Sequence, residues 1–147
     1  MSYSTGEALI LTRVRACTGF TSANTARANW KLLNSGKSDH YAIIRPGGFA
    51  VEWQTLGMAV FRYTTVIELW QRYTDDTTTQ TNLYGYIANL YGLLDYPHLG
   101  SSASIQDSTI MGADAPEEMW RNEGGPAWLR WSMRVEWTEE RSATFAE

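Results

Sequence analysis

The chain has 147 residues, enough for one domain with a true core and too few for two. Charged residues make up 19% of it and aromatics 13%, a low-charge, aromatic-rich balance that is common at protein interfaces. The net charge is -4, unevenly spread: residues 1–60 hold six basic and three acidic residues, and residues 61–147 hold six basic and thirteen acidic ones. This excludes the basic footprint of a DNA-binding protein, whereas an acidic wall that DNA passes without sticking stays compatible.

The single cysteine, Cys17, excludes an internal disulfide and a cysteine-rich metal site, and its apolar neighbourhood predicts a buried thiol. The segment Met1 to Ile10 lacks the basic start and apolar run of a signal peptide, and no run of eighteen apolar residues follows. The expectation is a reducing, soluble compartment and no membrane contact.

In chain order, Ser4 or Thr5 is placed to cap a first helix with Leu11, Val14 and Cys17 as its apolar stripe, Ile10 beside it, and Gly19 as its stop. A shorter helix is expected over Ala26–Leu33, ended by Asn34-Ser35-Gly36. His40–Arg45 reads as a strand, Pro46-Gly47-Gly48 as a turn, and Phe49–Leu56 as a second strand, the two forming a hairpin.

Ala59–Tyr73 is the longest strand expected, and its side chains alternate. Phe61, Tyr63, Thr65, Ile67, Leu69, Gln71 and Tyr73 share a face expected to look into the core. Arg62, Thr64, Val66, Glu68, Trp70 and Arg72 share the other, which leaves Trp70 exposed unless another element covers it. Asp75-Asp76 leads into a helix whose buried stripe is Leu83, Ile87, Leu90, Tyr91 and Leu94, with Gly85 and Gly92 as possible close-packing points and Pro97 as its stop.

A strand is expected over Ser104–Met111, and 117–125 reads as a short strand or a loop. Trp128–Glu139 then forms a strand with Leu129, Trp131, Met133, Val135 and Trp137 on its apolar face. Trp128, Arg130, Ser132, Arg134, Glu136 and Thr138 lie on its other face. Arg130, Arg134 and Glu136 are placed to pair across strands with Glu68, Arg62 or Arg72. The sum is an α+β fold: a mostly antiparallel sheet packed on one side by two main helices, in one domain over 1–147, with a core over about 5–139 and a polar tail over 140–147.

Chemistry-bearing patterns are weak. His40 and His98 stand apart from each other and read as loop or cap residues rather than zinc ligands. No serine sits in a glycine-flanked elbow. Nothing marks two of the carboxylates Glu52, Glu68, Glu117, Glu118 and Glu136 as a buried pair. Arg45-Pro46-Gly47-Gly48 lacks the Gly-Lys-Ser/Thr ending of a phosphate loop. No catalytic, cofactor or metal residue is therefore assigned, and the expectation is a protein that is not an enzyme. Trp30, Trp53, Trp70 and Trp120 keep open a pocket in a small ligand-binding domain.

The arrangement resembles the tail terminator proteins of long-tailed, siphovirus-type phages. The resemblance rests on an N-terminal amphipathic helix, the Tyr41–Arg45 strand with its Pro-Gly step, and the long strand through Val66-Ile67-Glu68-Leu69. It continues through the helix bearing Leu83, Ile87, Leu90 and Leu94 and the closing strand Met133-Arg134-Val135-Glu136-Trp137. It covers residues 5–139, and related neck, tail-completion and minor tail proteins share these patterns. The resemblance implies a homohexameric ring in the tail neck of the virion, assembled in the host cytoplasm. Such a ring ends polymerisation of the tail tube protein, joins the tail to a head-completion protein and leaves a DNA channel. A tail tube or head-completion subunit of the same particle is the alternative. The interface or channel candidates are Arg62, Glu68, Trp70, Arg72, Asp75, Asp76, Glu117, Glu118, Arg130, Arg134 and Glu136.

Overall fold

A computed structural model describes residues 3–55, 57–94, 105–113, 117–120 and 127–142. The elements run α1 (Tyr3–Ala16), β1 (Thr25–Arg27), a 3-10 helix (Trp30–Asn34), β2 (His40–Thr55), β3 (Met58–Arg72), α2 (Asp76–Leu94), β4 (Ile105–Ala113), β5 (Glu117–Trp120) and β6 (Ala127–Ser142). They build one mixed six-stranded sheet in the order β1-β2-β3-β6-β4, with β5 also beside β6. All pairings are antiparallel except β1 with β2. The α+β class with a mostly antiparallel sheet and two helices is thus as the alternation predicts.

The helix-side core follows from that alternation. Ile67 and Leu69 of β3 pair in register with Met133 and Trp131 of β6 and with Ile44 and Ala42 of β2. Ile10 and Val14 of α1 and Leu83 and Leu90 of α2 close over this row, and all four are fully buried. Cys17 and Phe20 seal the end of α1, where burial pushes the Cys17 thiol pKa up. Gly6 lies so close to the Trp137 indole that a Cβ there would collide with the ring. Gly85, by contrast, faces open space, so the close approach expected of it is seen at Gly6 of α1 instead.

Several expectations are corrected. The helix over Ala26–Leu33 is a short parallel strand followed by five residues of 3-10 helix. Ala28, with φ 49, divides them while its N–H bonds the Ile44 carbonyl, a backbone state no α-helix passes through. The Pro46-Gly47-Gly48 turn is instead a bulge inside one strand that pairs with β3 along its length. Proline fits there because β1 pairs β2 only at Ala42–Ile44, so Pro46 stands beyond that ladder and owes it no N–H. The hairpin turns at Gly57 instead, with φ 87.

Tyr91 is exposed rather than part of the buried stripe of α2, and β6 continues to Ser142. Ser4 and Thr5 fall inside the first turn of α1, past the cap position. Leu94 and Gly92 fall among side chains outside the described residues, as does His98 in every respect.

The largest correction concerns the second sheet face, expected to be solvated, lined by a neighbour or turned into a channel. The 3-10 helix folds across it and builds a second core of Leu33, Tyr41, Ile43, Trp70 and Trp128, flanked by Trp30 and Leu32. Trp70 and Trp128 are each 3% exposed. The reason is a cover supplied by another segment of the chain, which strand periodicity cannot reveal.

Candidate interface surface

On the second face β3 and β6 lie side by side in a fixed register: Trp70 opposite Arg130, Glu68 opposite Ser132, Val66 opposite Arg134, Thr64 opposite Glu136 and Arg62 opposite Thr138. The diagonal neighbours carry the charge pairs.

Glu68 sits at the border of the second core, with its side chain only 3% exposed. Its Oε1 accepts the indole N–H of Trp30 at 2.7 Å and that of Trp70 at 3.1 Å. Its Oε2 accepts the Arg45 Nε–H at 2.7 Å and faces the Arg130 guanidinium at 3.9 Å. The Arg130 guanidinium also lies 5.6 Å from the Trp70 ring centre. A buried carboxylate is tolerated only when paired and hydrogen-bonded, and here both oxygens are engaged. Its chemistry is that of a structural acceptor tying the 3-10 helix, β2, β3 and β6 together, not of a base aimed at a substrate.

Further out along the hairpin the cover ends. Arg62 there bonds Glu52 at 3.2 Å and faces Glu136 at 3.7 Å, with all three side chains at least partly in solvent. The cross-strand pairing expected for Arg130 and Glu136 is seen, with Glu68 and Arg62 respectively. Arg134 and Arg72 are exposed. On the helix-side face the β2 arm of the outer hairpin is also open, with Phe49 63% and Val51 40% exposed, whereas Ala59, Val60 and Tyr63 of the β3 arm stay buried. Phe49 is the free end of an aromatic row: its ring lies 6.1 Å from Tyr63, which stacks on Trp137 at 4.1 Å.

Asp75 is the N-cap of α2: its carboxylate accepts the Thr78 N–H at 2.8 Å, and these bonds hold its pKa below the ordinary carboxylate range. The side chains of Asp76, Glu117 and Glu118 lie outside the described residues, although Glu117 and Glu118 occupy β5 register positions opposite Arg130 and Leu129.

Sequence reasoning missed Arg45, Phe49 and the role of Trp30. The Phe49/Val51 alternation against Ala50/Glu52 was a usable signal for a two-sided hairpin, whereas nothing local marks Trp30 or Arg45 as partners of Glu68. Trp30 and Trp70 meet through that carboxylate, while the side chains of Trp53 and Trp120 fall outside the described residues.

His40 departs from the loop role expected of it. Its ring stacks on Tyr86 at 4.9 Å and meets Phe20 edge-on at 5.5 Å, while Nδ1 lies 2.7 Å from the Asp39 carboxylate. It joins the α1–β1 turn to α2. Burial, with the Asp39 charge second, pushes the Tyr86 hydroxyl pKa up.

Among the described residues no group of three or more His, Cys, Asp or Glu is placed to hold a metal ion, and no helix is long and apolar enough to cross a membrane. No protein-family model matches the chain, and no curated protein matches it either.

Proposed function

We propose that the chain is a structural subunit of a phage tail neck, a tail terminator that forms a homohexameric ring on the tail tube. In that role it ends tube polymerisation, presents a surface to the head-completion protein and lets DNA through its central hole. It works by geometry, without catalysis or cofactor. Its place is the virion neck, and its assembly takes place in the host cytoplasm.

The observation carrying this reading is the outer half of the β2–β3 hairpin. It exposes Phe49 and Val51 on one face and the Glu52–Arg62–Glu136 group on the other. Exposed aromatic surface beside ordered charge is the composition of an interface rather than of a substrate cleft. The fully engaged Glu68 supports the same reading, because this buried carboxylate serves the fold.

Gold labelling of this chain in intact particles tests the proposal. The expected result is label confined to the junction of head and tail. Label spaced along the whole tail would make it a tube subunit, and an absence of label from purified particles would overturn the virion reading.

A further inference from the structure

Strand β2 has a neighbour on both edges only near its start. β1 runs beside Ala42–Ile44, and no other described strand lies along that edge. Every residue from Pro46 to Glu52 is exposed. The direction of the main-chain groups on this open stretch follows from the ladder. The Ala42 N–H bonds the Asn24 carbonyl and the Ile44 carbonyl accepts the Ala28 N–H, so these two residues aim their main chain away from β3. Such residues recur at every second position of a strand and share one side-chain face. The bulge between Pro46 and Gly48 shifts the count by one, which carries the series on to Phe49 and Val51. The Phe49 ring beside Tyr63 lies on the same helix-side face as Ala42 and Ile44, as this shift requires. Phe49 and Val51 therefore turn N–H and C=O groups outward along an edge that also carries their exposed apolar side chains.

Open edges are ordinarily blunted by proline, lysine or a bulge. Here Pro46 and the bulge do so only where the β1 ladder ends, and Phe49–Glu52 holds neither proline nor lysine. The one charge on that stretch, Glu52, belongs to a larger pattern. Glu52, Arg62 and Glu136 form a row of alternating sign across β2, β3 and β6, with contacts of 3.2 Å and 3.7 Å. The row ends on an acid at the open edge, so a strand laid beside β2 continues it by placing a cation next to Glu52. The edges of a second copy do not supply one. A two-fold pairing of β2 with itself adds another Glu52, and β4, at the far end of the sheet, carries Asp107 and no basic residue.

We propose that the β2 edge at Phe49–Glu52 docks an extended segment of another protein as an added antiparallel strand, one in which apolar residues alternate with lysine or arginine. The apolar residues continue the Phe49/Val51 face, the cations continue the Glu52–Arg62–Glu136 row, and the main chain bonds Phe49 and Val51. The inference rests on the reading of the outer hairpin as an assembly surface and names what its edge takes. An added strand widens the sheet and leaves both its faces open, so contacts between copies through those faces are kept.

The test uses the full purified chain and short end-blocked synthetic peptides, with binding read by fluorescence anisotropy and by amide hydrogen exchange in NMR spectra. A peptide of alternating valine and lysine should bind and protect the Phe49 and Val51 amides. It should bind about tenfold or more tightly than alternating valine and glutamate, or than a scrambled peptide of its own composition. N-methylation of its valines, the residues opposite Phe49 and Val51 in an antiparallel ladder, should abolish binding. Val51→Pro removes an outward N–H that β3 does not use and should abolish binding too, with a thermal melt checking the fold. Glu52→Gln, at an exposed position, should erase the preference for lysine over glutamate. Failure of the valine–lysine peptide to protect those two amides would overturn the inference and leave the neck reading to the gold labelling. Protection in a chain that is absent from purified particles would uphold the strand site and overturn the neck reading.

Discussion

The two halves of the β2–β3 hairpin share strands, register and alternation, yet they end in opposite environments. At its base, Tyr41, Ile43, Glu68 and Trp70 are buried under the 3-10 helix on one face, while Ala42, Ile44, Ile67 and Leu69 are buried under α1 and α2 on the other. In its outer half, Phe49, Val51, Glu52 and Arg62 reach solvent, and burial is confined to Ala59, Val60, Tyr63 and Thr65 of the central strand. Strand alternation decides which side chains share a face, but it does not decide whether that face is covered. Cover comes from other segments, and where none of the described ones reaches, the side chains stay open to solvent.

The base should therefore be sensitive to substitution and the outer half tolerant. The largest effect is expected at Glu68. Replacing it by Ala removes the acceptor of two indole N–H groups and leaves two guanidinium groups without their carboxylate, a loss of about 3 kcal/mol in chemical denaturation. Arg62→Ala breaks a pair of the same chemical type in the outer half and should cost about 0.5 kcal/mol, because exposed ion pairs are weak. Equal losses at the two positions would erase the distinction between the halves.

Two glycines sharpen the contrast within the helices. Gly to Ala in a helix interior ordinarily stabilises by up to about 1 kcal/mol. Gly85→Ala should follow that rule, since its Cβ meets open space. Gly6→Ala should reverse it, destabilising by about 1–3 kcal/mol as the new methyl displaces Trp137. Thermal melts of both variants check the sign.

The smallest effect concerns Asp75. Its folded pKa is depressed, so its contribution is fully present above the ordinary carboxylate pKa of about 4 and is lost as pH falls through the folded value. Asp75→Asn keeps a capping side chain and removes the titration. Melting temperatures of the two proteins, followed from neutral to strongly acidic pH, should show the wild type losing ground only on the acid side.

The long elements were legible because their patterns are long. Fifteen residues of β3 and sixteen of β6 give enough alternation to assign both faces, and Leu83 and Leu90 mark the buried stripe of α2. Shorter elements escaped for identifiable reasons. Trp30, Leu32 and Leu33 fit a helical turn as well as a 3-10 turn, and only the left-handed Ala28 separates them from β1. Pro46 looks like a turn until β2 is known to lack a neighbour there. The charge pairs of the candidate surface were readable as cross-strand diagonals once β3 and β6 were placed together. The Arg45 and Trp30 arms of Glu68 were not, because both come from other elements.

The central claim is that this surface serves assembly into a ring. Native mass measurement of the purified chain, alone and with tail tubes, tests it most directly. The account predicts a closed assembly of six identical copies that persists on the end of the tube; a monomer at every concentration, with tubes present as well as absent, would contradict it.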